Sequence, residues 1–285
     1  IDMKIKTIAI IGSGTMGSGI AQMAAACGYD TLLYDLSEES LTKARSIINK
    51  NLEGGVKRNK ISEEDKKNTL DRIKTISDIN ALRADLVIEA IVEKLEPKVE
   101  VFKKMHELNG SECILATNTS SIPISKIAAK IPNPERVVGM HFFNPAHIMK
   151  LVEIILGAAT DEKVAETVFK LAEEMGKKAV YAKDSPGFIV NRVARHFYVE
   201  SLKVLEEQVA THEQIDRLIE NNGFRMGPFR LMDLIGVDTN FSVTSRMFES
   251  FHYDSKFRPS RIQEQKVNAG LHGRKSGEGF YKYSD

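Results

Sequence analysis

Tryptophan is absent from this chain of 285 residues, and cysteine and proline are scarce, at two and eight residues. Cys27 and Cys113 are too few for a disulfide framework, and neither stands in a CxxC or another zinc-ligand spacing, so no metal site is expected. Both read as small buried hydrophobes. Neither sign of charge is in excess: 40 Lys and Arg stand against 39 Asp and Glu. Wrapping nucleic acid needs a large basic surplus, so no nucleic-acid partner is expected. No apolar run approaches the roughly 18–20 residues of a membrane span. The opening residues hold no signal-peptide core. A reduced, cytoplasmic setting and no membrane partner are the expectation. No period of about 20–50 residues repeats, which excludes a solenoid.

What is present is an ordinary apolar fraction, 42%, enough for a sizeable core in one large or two modest domains. Lys6–Ile11 reads as a buried strand that runs straight into glycines, Ile20–Cys27 as an alanine-rich helix, and Thr31–Asp35 as a second strand. This βαβ unit demands a parallel sheet with a right-handed crossover. Ser37 reads as the N-cap of a helix with an apolar stripe of Leu41, Ala44, Ile47, Ile48 and Leu52. Ser62-Glu63-Glu64-Asp65 caps another, and the helical pair forms an insertion before the chain returns to the sheet. Further strands are expected at Ala84–Ala90, Cys113–Thr117, Val137–Phe142, Leu151–Ile155 and Lys178–Tyr181, with a weak one at Lys74–Ile76. Helices fill Pro97–Leu108 and Asp161–Met175.

The pattern changes at Asp184-Ser185-Pro186-Gly187. Beyond it come a long helix at Phe188–Gln208, a capping box at Thr211–Gln214, and a glycine-rich aromatic tail, Gly273–Tyr283, expected to fold back over the body. The prediction is an α/β domain, residues 1–184, with a Rossmann-type, mainly parallel sheet and a helical insertion. An all-α domain, residues 185–285, follows it.

Gly12-Ser13-Gly14-Thr15-Met16-Gly17 matches G-x-G-x-x-G, with a strand before it, a helix after it, and Asp35 at the end of the next strand. In that context the motif reads as a dinucleotide site. Gly12 makes the tight turn, Gly14 lets a pyrophosphate approach the backbone, and Gly17 lets helix and strand pack closely. Thr15 and Met16 complete the candidate cofactor residues, and the N-terminus of the helix that follows offers free N–H groups to the phosphates. Asp35 can accept from both adenine-ribose hydroxyls and would repel a 2′-phosphate, so NAD is expected over NADP. The plainer alternative is a loop of glycines with Asp35 as a helix cap.

A second constellation lies at later strand ends: Asn118-Thr119-Ser120-Ser121, His141-Phe142-Phe143-Asn144-Pro145, Glu153, and Asn191 on the long helix. A histidine held by a carboxylate suits alcohol oxidation, because the hydroxyl proton must leave as hydride leaves carbon. Glu153 stands inside an apolar strand, where a carboxylate is costly unless paired, and His141 is the available partner. Capping is the plainer role for Ser120, and satisfying a buried backbone group the plainer role for Asn191. Met140, Met149, Phe142 and Phe143 read as core or pocket wall.

These motifs resemble the L-3-hydroxyacyl-CoA dehydrogenases, most closely the short bacterial 3-hydroxybutyryl-CoA dehydrogenases. The resemblance runs from about Lys4 to Tyr283 and rests on GSGTMGSGIAQ (Gly12–Gln22), EAIVEKLEPK (Glu89–Lys98), NTSS (Asn118–Ser121), HFFNPAHIMKLVEI (His141–Ile154), DSPGFIVNR (Asp184–Arg192), MGPF (Met226–Phe229), DLIGVDT (Asp233–Thr239) and GRKSGEGFYKY (Gly273–Tyr283). It implies NAD-dependent interconversion of (S)-3-hydroxyacyl-CoA and 3-ketoacyl-CoA, with 3-hydroxybutyryl-CoA and acetoacetyl-CoA as the short-chain pair, in fatty-acid and butanoate metabolism. It makes His141 the base and Glu153 its partner, and has Ser120 and Asn191 bind the C3 oxygen. It adds Asn144 to the substrate site and Asn118, Glu93 and Lys98 to the cofactor site. Lys50, Lys57 and Arg58 become candidates for the CoA phosphates, against a merely solvated helix face. A homodimer or higher homo-oligomer is implied through the C-terminal helices. Two positions depart from the family: His147 stands where a proline is usual, and Arg225 stands where a proline precedes MGP. A dehydrogenase of a free hydroxy or sugar acid on the same fold is the alternative enzyme, and a non-catalytic NAD or acyl-CoA sensor the alternative class.

Overall fold

A computed structural model describes residues 5–283. Lys4, where the resemblance begins, and the outermost positions of both expected domains (1–4 and 284–285) lie outside the described residues. The chain divides into two compact units, Ile1–Ser185 and Pro186–Asp285.

The first unit begins with β1 (Thr7–Ile11), α1 (Thr15–Ala26), β2 (Asp30–Tyr34), α2 (Glu38–Lys57), α3 (Glu63–Arg72), β3 (Ile73–Ile76) and β4 (Leu86–Glu89). It continues with α4 (Leu95–Asn109), β5 (Ile114–Thr117), α5 (Ile124–Ala128), β6 (Val137–Phe142), β7 (Leu151–Leu156), α6 (Glu162–Glu174) and β8 (Lys178–Lys183). The eight strands form one sheet in the order β3-β2-β1-β4-β5-β6-β7-β8. Every pairing is parallel except β6 with β7. The crossovers leave β1 and β4 in opposite directions, which opens a crevice beyond their carboxyl ends.

Local signals explain most boundaries. Ser37 caps α2 by accepting from the Ser40 N–H, and Leu41, Ala44, Ile48 and Leu52 bury one stripe. Leu41, Ile48 and Leu52 each contribute about 1.5–3 kcal/mol of burial. Ser62 and Asp65 form a reciprocal capping box at the start of α3. All six residues of β6 are buried, because neighbouring strands flank it and side chains cover both faces.

Several expectations need correction. Ile47, placed in the apolar stripe, is exposed, since it lies beside the buried line and not on it. Cys27, read as buried, is exposed at the C-cap of α1, where the helix ends; Cys113 is buried. α1 begins at Thr15, five residues before Ile20, because Gly14 already serves as its extended N-cap. Met149 is exposed, while Met140 and Phe142 are core. The five-residue α5 was not foreseen, being too short to show a helical period.

The second unit is helical: α7 (Val190–Glu206), α8 (His212–Asn221), α9 (Pro228–Ile235), α10 (Val237–Ser250) and α11 (Arg261–Asn268). Tyr198, Leu202, Ile215, Phe229, Met232, Val237 and Phe280 form its core. The glycine-rich tail folds back onto this unit. Asp233 accepts from the N–H groups of Phe280 and Tyr281 and from the Tyr283 hydroxyl, and Asp216 accepts from the Tyr281 hydroxyl. Two buried carboxylates thereby fix the tail.

Candidate active site

The glycine loop joins β1 to α1, and two of its glycines are sterically required. Gly12 has φ +100°, and a Cβ there would stand 2.7 Å from the Ala90 carbonyl oxygen at the end of β4. A Cβ on Gly17 would stand 1.7 Å from the Gly12 carbonyl oxygen. A Cβ on Gly14 would meet nothing within 4 Å, so the loop is open on that side. Thr15 and Met16 form the first turn of α1, which contains no acidic residue, so its N–H groups face an anion without competition.

Asp35, just past β2, accepts from the Ser13 N–H and hydroxyl, both at 2.8 Å, and from the Ser37 N–H at 3.1 Å. Burial works against its charge, but these donors outweigh it and hold the carboxyl below the ordinary aspartate value. A cavity of about 640 Å³ opens here, lined by Gly12, Gly14, Asp35, Ile91, Val92 and Val101 among others. An apolar slot edged by the glycine turn and by the Asp35 carboxylate hydrogen-bonded to that turn fits the adenosine part of a dinucleotide. A larger groove, about 1150 Å³, opens at the amino ends of the strands. It holds none of the expected site residues, and within it Arg136 pairs with Glu112 and Lys170 with Glu166.

His141 and Glu153 occupy directly opposite positions of the antiparallel β6–β7 pair. Opposite residues of such a pair point to the same face with their Cβ atoms about 4.5–5.5 Å apart, so the side chains meet. His141 Nδ1 lies 2.7 Å from Glu153 Oε2, with His141 5% and Glu153 0% exposed. The Phe143 ring tilts against the imidazole, centroids 4.6 Å apart. Asn118 follows β5; its Oδ1 accepts from the Phe142 N–H at 2.8 Å and its own N–H donates to the Glu89 carbonyl. Asn118 therefore joins the end of β4 to the residue after His141.

Ser120 lies on the same loop, two residues beyond Asn118, held by Glu93. One oxygen of Glu93 accepts from the hydroxyls of Thr119, Ser120 and Ser121 and from the N–H groups of Ser120 and Ser121. Its other oxygen is 3.2 Å from the Lys98 ammonium. Burial opposes the Glu93 charge, but Lys98 and these donors prevail and keep its carboxyl below the usual glutamate value. Lys98 itself is 1% exposed and also pairs with Glu89 at 2.6 Å.

The remaining candidates are more dispersed. Asn144 is exposed, ahead of the cis bond to Pro145. His147 is half-buried, and burial with the nearby Lys177 ammonium pushes its pKa down. Lys177 donates to the carbonyls of Ala146 and Met149, fixing the turn that carries His147. Lys50, Lys57 and Arg58 are exposed along the last turns of α2 and at its C-cap. Asn191 belongs to the second unit, half-buried in the first turn of α7; Val193 beside it is 68% exposed. Arg225 is exposed before α9. Glu89, Thr117 and Lys177 were missed. For Glu89 a signal existed: a carboxylate ending an otherwise apolar strand, as with Glu153.

Comparison with known proteins adds the family. The model of the 3-hydroxyacyl-CoA dehydrogenase NAD binding domain matches residues 7–185, and that of the C-terminal domain of the same enzyme matches residues 187–283. The chain is 49% identical, over 99% of its own length, to 3-hydroxyadipyl-CoA dehydrogenase of Escherichia coli K12. A solved structure from that organism, titled 3-hydroxybutyryl-CoA dehydrogenase, superposes with a TM-score of 0.96 at 49% identity over 98% of this chain. The chain spans 60% of the length of each of these two E. coli proteins. The structure of (S)-3-hydroxybutyryl-CoA dehydrogenase from Ralstonia eutropha superposes with a TM-score of 0.95 at 38% identity, over 99% of this chain and 100% of that one. Its first unit being the NAD binding domain, the chain belongs to the 3-hydroxyacyl-CoA dehydrogenase family.

Proposed function

We propose that this protein interconverts (S)-3-hydroxyacyl-CoA and 3-ketoacyl-CoA, with His141 as general base and acid. The observation that carries the reading is the buried 2.7 Å contact between His141 Nδ1 and Glu153 Oε2, toward the carboxyl end of β6 in the sheet whose β1 runs into the glycine turn. An ionised Glu153 accepts the Nδ1 hydrogen, which leaves the Nε2 lone pair to take the substrate hydroxyl proton. NAD, when bound, supplies the acceptor for the hydride that leaves C3. In reverse, the imidazolium returns its proton to the forming alkoxide. Within the first unit Ser120 is the proposed contact of the C3 oxygen and Asn144 adds to the substrate site; Asn191, on the second unit, keeps the substrate role that the family resemblance gives it. Gly12, Gly14, Thr15, Met16 and Gly17 receive the pyrophosphate, Asp35 the adenine ribose, and Asn118, Glu93 and Lys98 support the nicotinamide end. Lys50, Lys57 and Arg58 attract the CoA phosphates.

A C4 substrate, 3-hydroxybutyryl-CoA, is the first reading. The name of the E. coli relative favours a second, a C6 substrate with a terminal carboxylate. NADH consumption with acetoacetyl-CoA, 3-oxoadipyl-CoA and free acetoacetate tests both. Turnover of the thioesters alone is expected, and their ratio of kcat/KM decides chain preference. Turnover of the free acid at equal efficiency would instead support the hydroxy-acid dehydrogenase.

The second unit leaves Val193, Leu218, Phe224, Leu234 and Ile235 exposed, and a second copy of the chain is the proposed cover. Light scattering at micromolar concentration should give at least twice the 31.8 kDa chain mass. The two free thiols, Cys27 and Cys113, suit a reduced cytoplasmic setting.

A further inference from the structure

Glu89 closes β4 with a carboxylate that is 0% exposed, in a strand whose other residues are Leu, Val and Ile. A buried charge is retained only where partners compensate it. Glu89 has three. Its Oε1 accepts from the Lys98 ammonium at 2.6 Å and from the Ile91 N–H at 2.7 Å, and its Oε2 accepts from the Thr117 hydroxyl at 2.7 Å. These partners belong to α4, to the turn after β4, and to the end of β5.

Each link continues toward Ser120. Thr117 accepts from the Thr119 N–H at 3.2 Å, so Glu89 orients the hydroxyl that receives the loop backbone. Lys98 lies between two carboxylates, 2.6 Å from Glu89 and 3.2 Å from Glu93. Glu93 in turn takes the Ser120 hydroxyl at 3.3 Å and the Ser120 N–H at 2.9 Å. That hydroxyl contact is the longest of the five converging on one oxygen of Glu93, so a small displacement of Glu93 breaks it first.

We propose that Glu89 is a positioning residue for the reaction: by holding Lys98 and Thr117 it sets the Glu93 carboxylate and the Thr119–Ser121 backbone, and so the orientation of the Ser120 hydroxyl. The inference rests on the proposed hydroxyacyl-CoA reading. Glu89 is 0% exposed and acts through Lys98 and Thr117. Without its charge, Lys98 has one carboxylate in place of two and is drawn toward Glu93, which pulls Glu93 off the serine loop.

Glu89→Gln keeps the shape and an acceptor but removes the charge. Expected is a fall in kcat with acetoacetyl-CoA and NADH of about tenfold, with KM for NADH within about twofold and faster amide hydrogen exchange at Thr119–Ser121. A double-mutant cycle with Ser120→Ala separates this from general destabilisation: the loss caused by Glu89→Gln should shrink below about twofold once Ser120 is gone. Thr117→Val provides an independent cut of the network should Glu89→Gln not fold, and Thr117→Ser should restore both kcat and exchange protection. Additive effects in the cycle, or unchanged kcat with unchanged exchange, would overturn the inference while leaving the reaction assignment intact. A wild-type protein inactive on every CoA thioester would overturn the reaction assignment itself, and the positioning role with it.

Discussion

His141 and Glu153 face each other at 2.7 Å across the one antiparallel step found among the described strands of the sheet. The topology makes the pair. β6 enters parallel to β5, and β7 turns back beside it, so the imidazole meets the carboxylate directly and not at a diagonal offset. Both groups are buried, where an ionised carboxylate must be compensated, and the ring is therefore held in one orientation.

Glu153→Gln should separate bracing from binding. The amide preserves the shape but loses the charge that supports the imidazolium, and kcat with acetoacetyl-CoA should fall about 10²-fold. The Kd for NADH, measured by fluorescence, should stay within about twofold. A matched loss in NADH affinity would show that Glu153 supports the fold of the cofactor domain instead.

Asp35→Ala should weaken NADH and improve NADPH relative to it. A hydrogen bond to a charged group contributes about 1.5–3 kcal/mol, so KM for NADH should rise at least about tenfold. Steady-state KM values for both cofactors check this. An unchanged preference would leave Asp35 only its contacts to Ser13 and Ser37.

Lys50→Ala, Lys57→Ala and Arg58→Ala combined should raise KM for acetoacetyl-CoA roughly tenfold at low salt, as expected of a few exposed charges. The difference should vanish at high ionic strength. Acetoacetyl-pantetheine, which lacks the nucleotide phosphates, should be indifferent to the change. Equal effects on both substrates would make the basic stretch a solvated helix face.

His147 gives a pH signature. Folding lowers its pKa, through burial first and the Lys177 charge second, so the folded state prefers the neutral ring. Its contribution to stability is complete above the ordinary imidazole value and declines as pH falls through the folded pKa. Tm of the wild type should drop more between pH 7 and pH 5 than Tm of His147→Gln, as read by calorimetry. Parallel pH profiles would place the titration elsewhere.

Much of this molecule was legible in advance, for identifiable reasons. β6 was read to the residue because it is a short, mostly apolar run that opens on two valines and stops just before the Asn144-Pro145 step. The Ser37 and Ser62 caps were legible because capping chemistry is local. Ile47 was misplaced because a helix face must be chosen to within one position, and Cys27 because the helix ends there, which only tertiary packing decides. Glu93 and Lys98 were named one by one for the cofactor site, but their junction through Glu89 escaped, because a carboxylate closing an apolar strand does not by itself name its partners. The fold of the β4–α4 turn brings the three together, and the pairing of β4 with β5 adds Thr117 to Glu89.

The most direct test of the proposed chemistry is His141→Ala, assayed for NADH oxidation by acetoacetyl-CoA alongside NADH binding. Loss of turnover by about 10³-fold, with NADH bound as tightly as by the wild type, is the expected result. Turnover near the wild-type rate would contradict the assignment of His141 as the proton-transferring group.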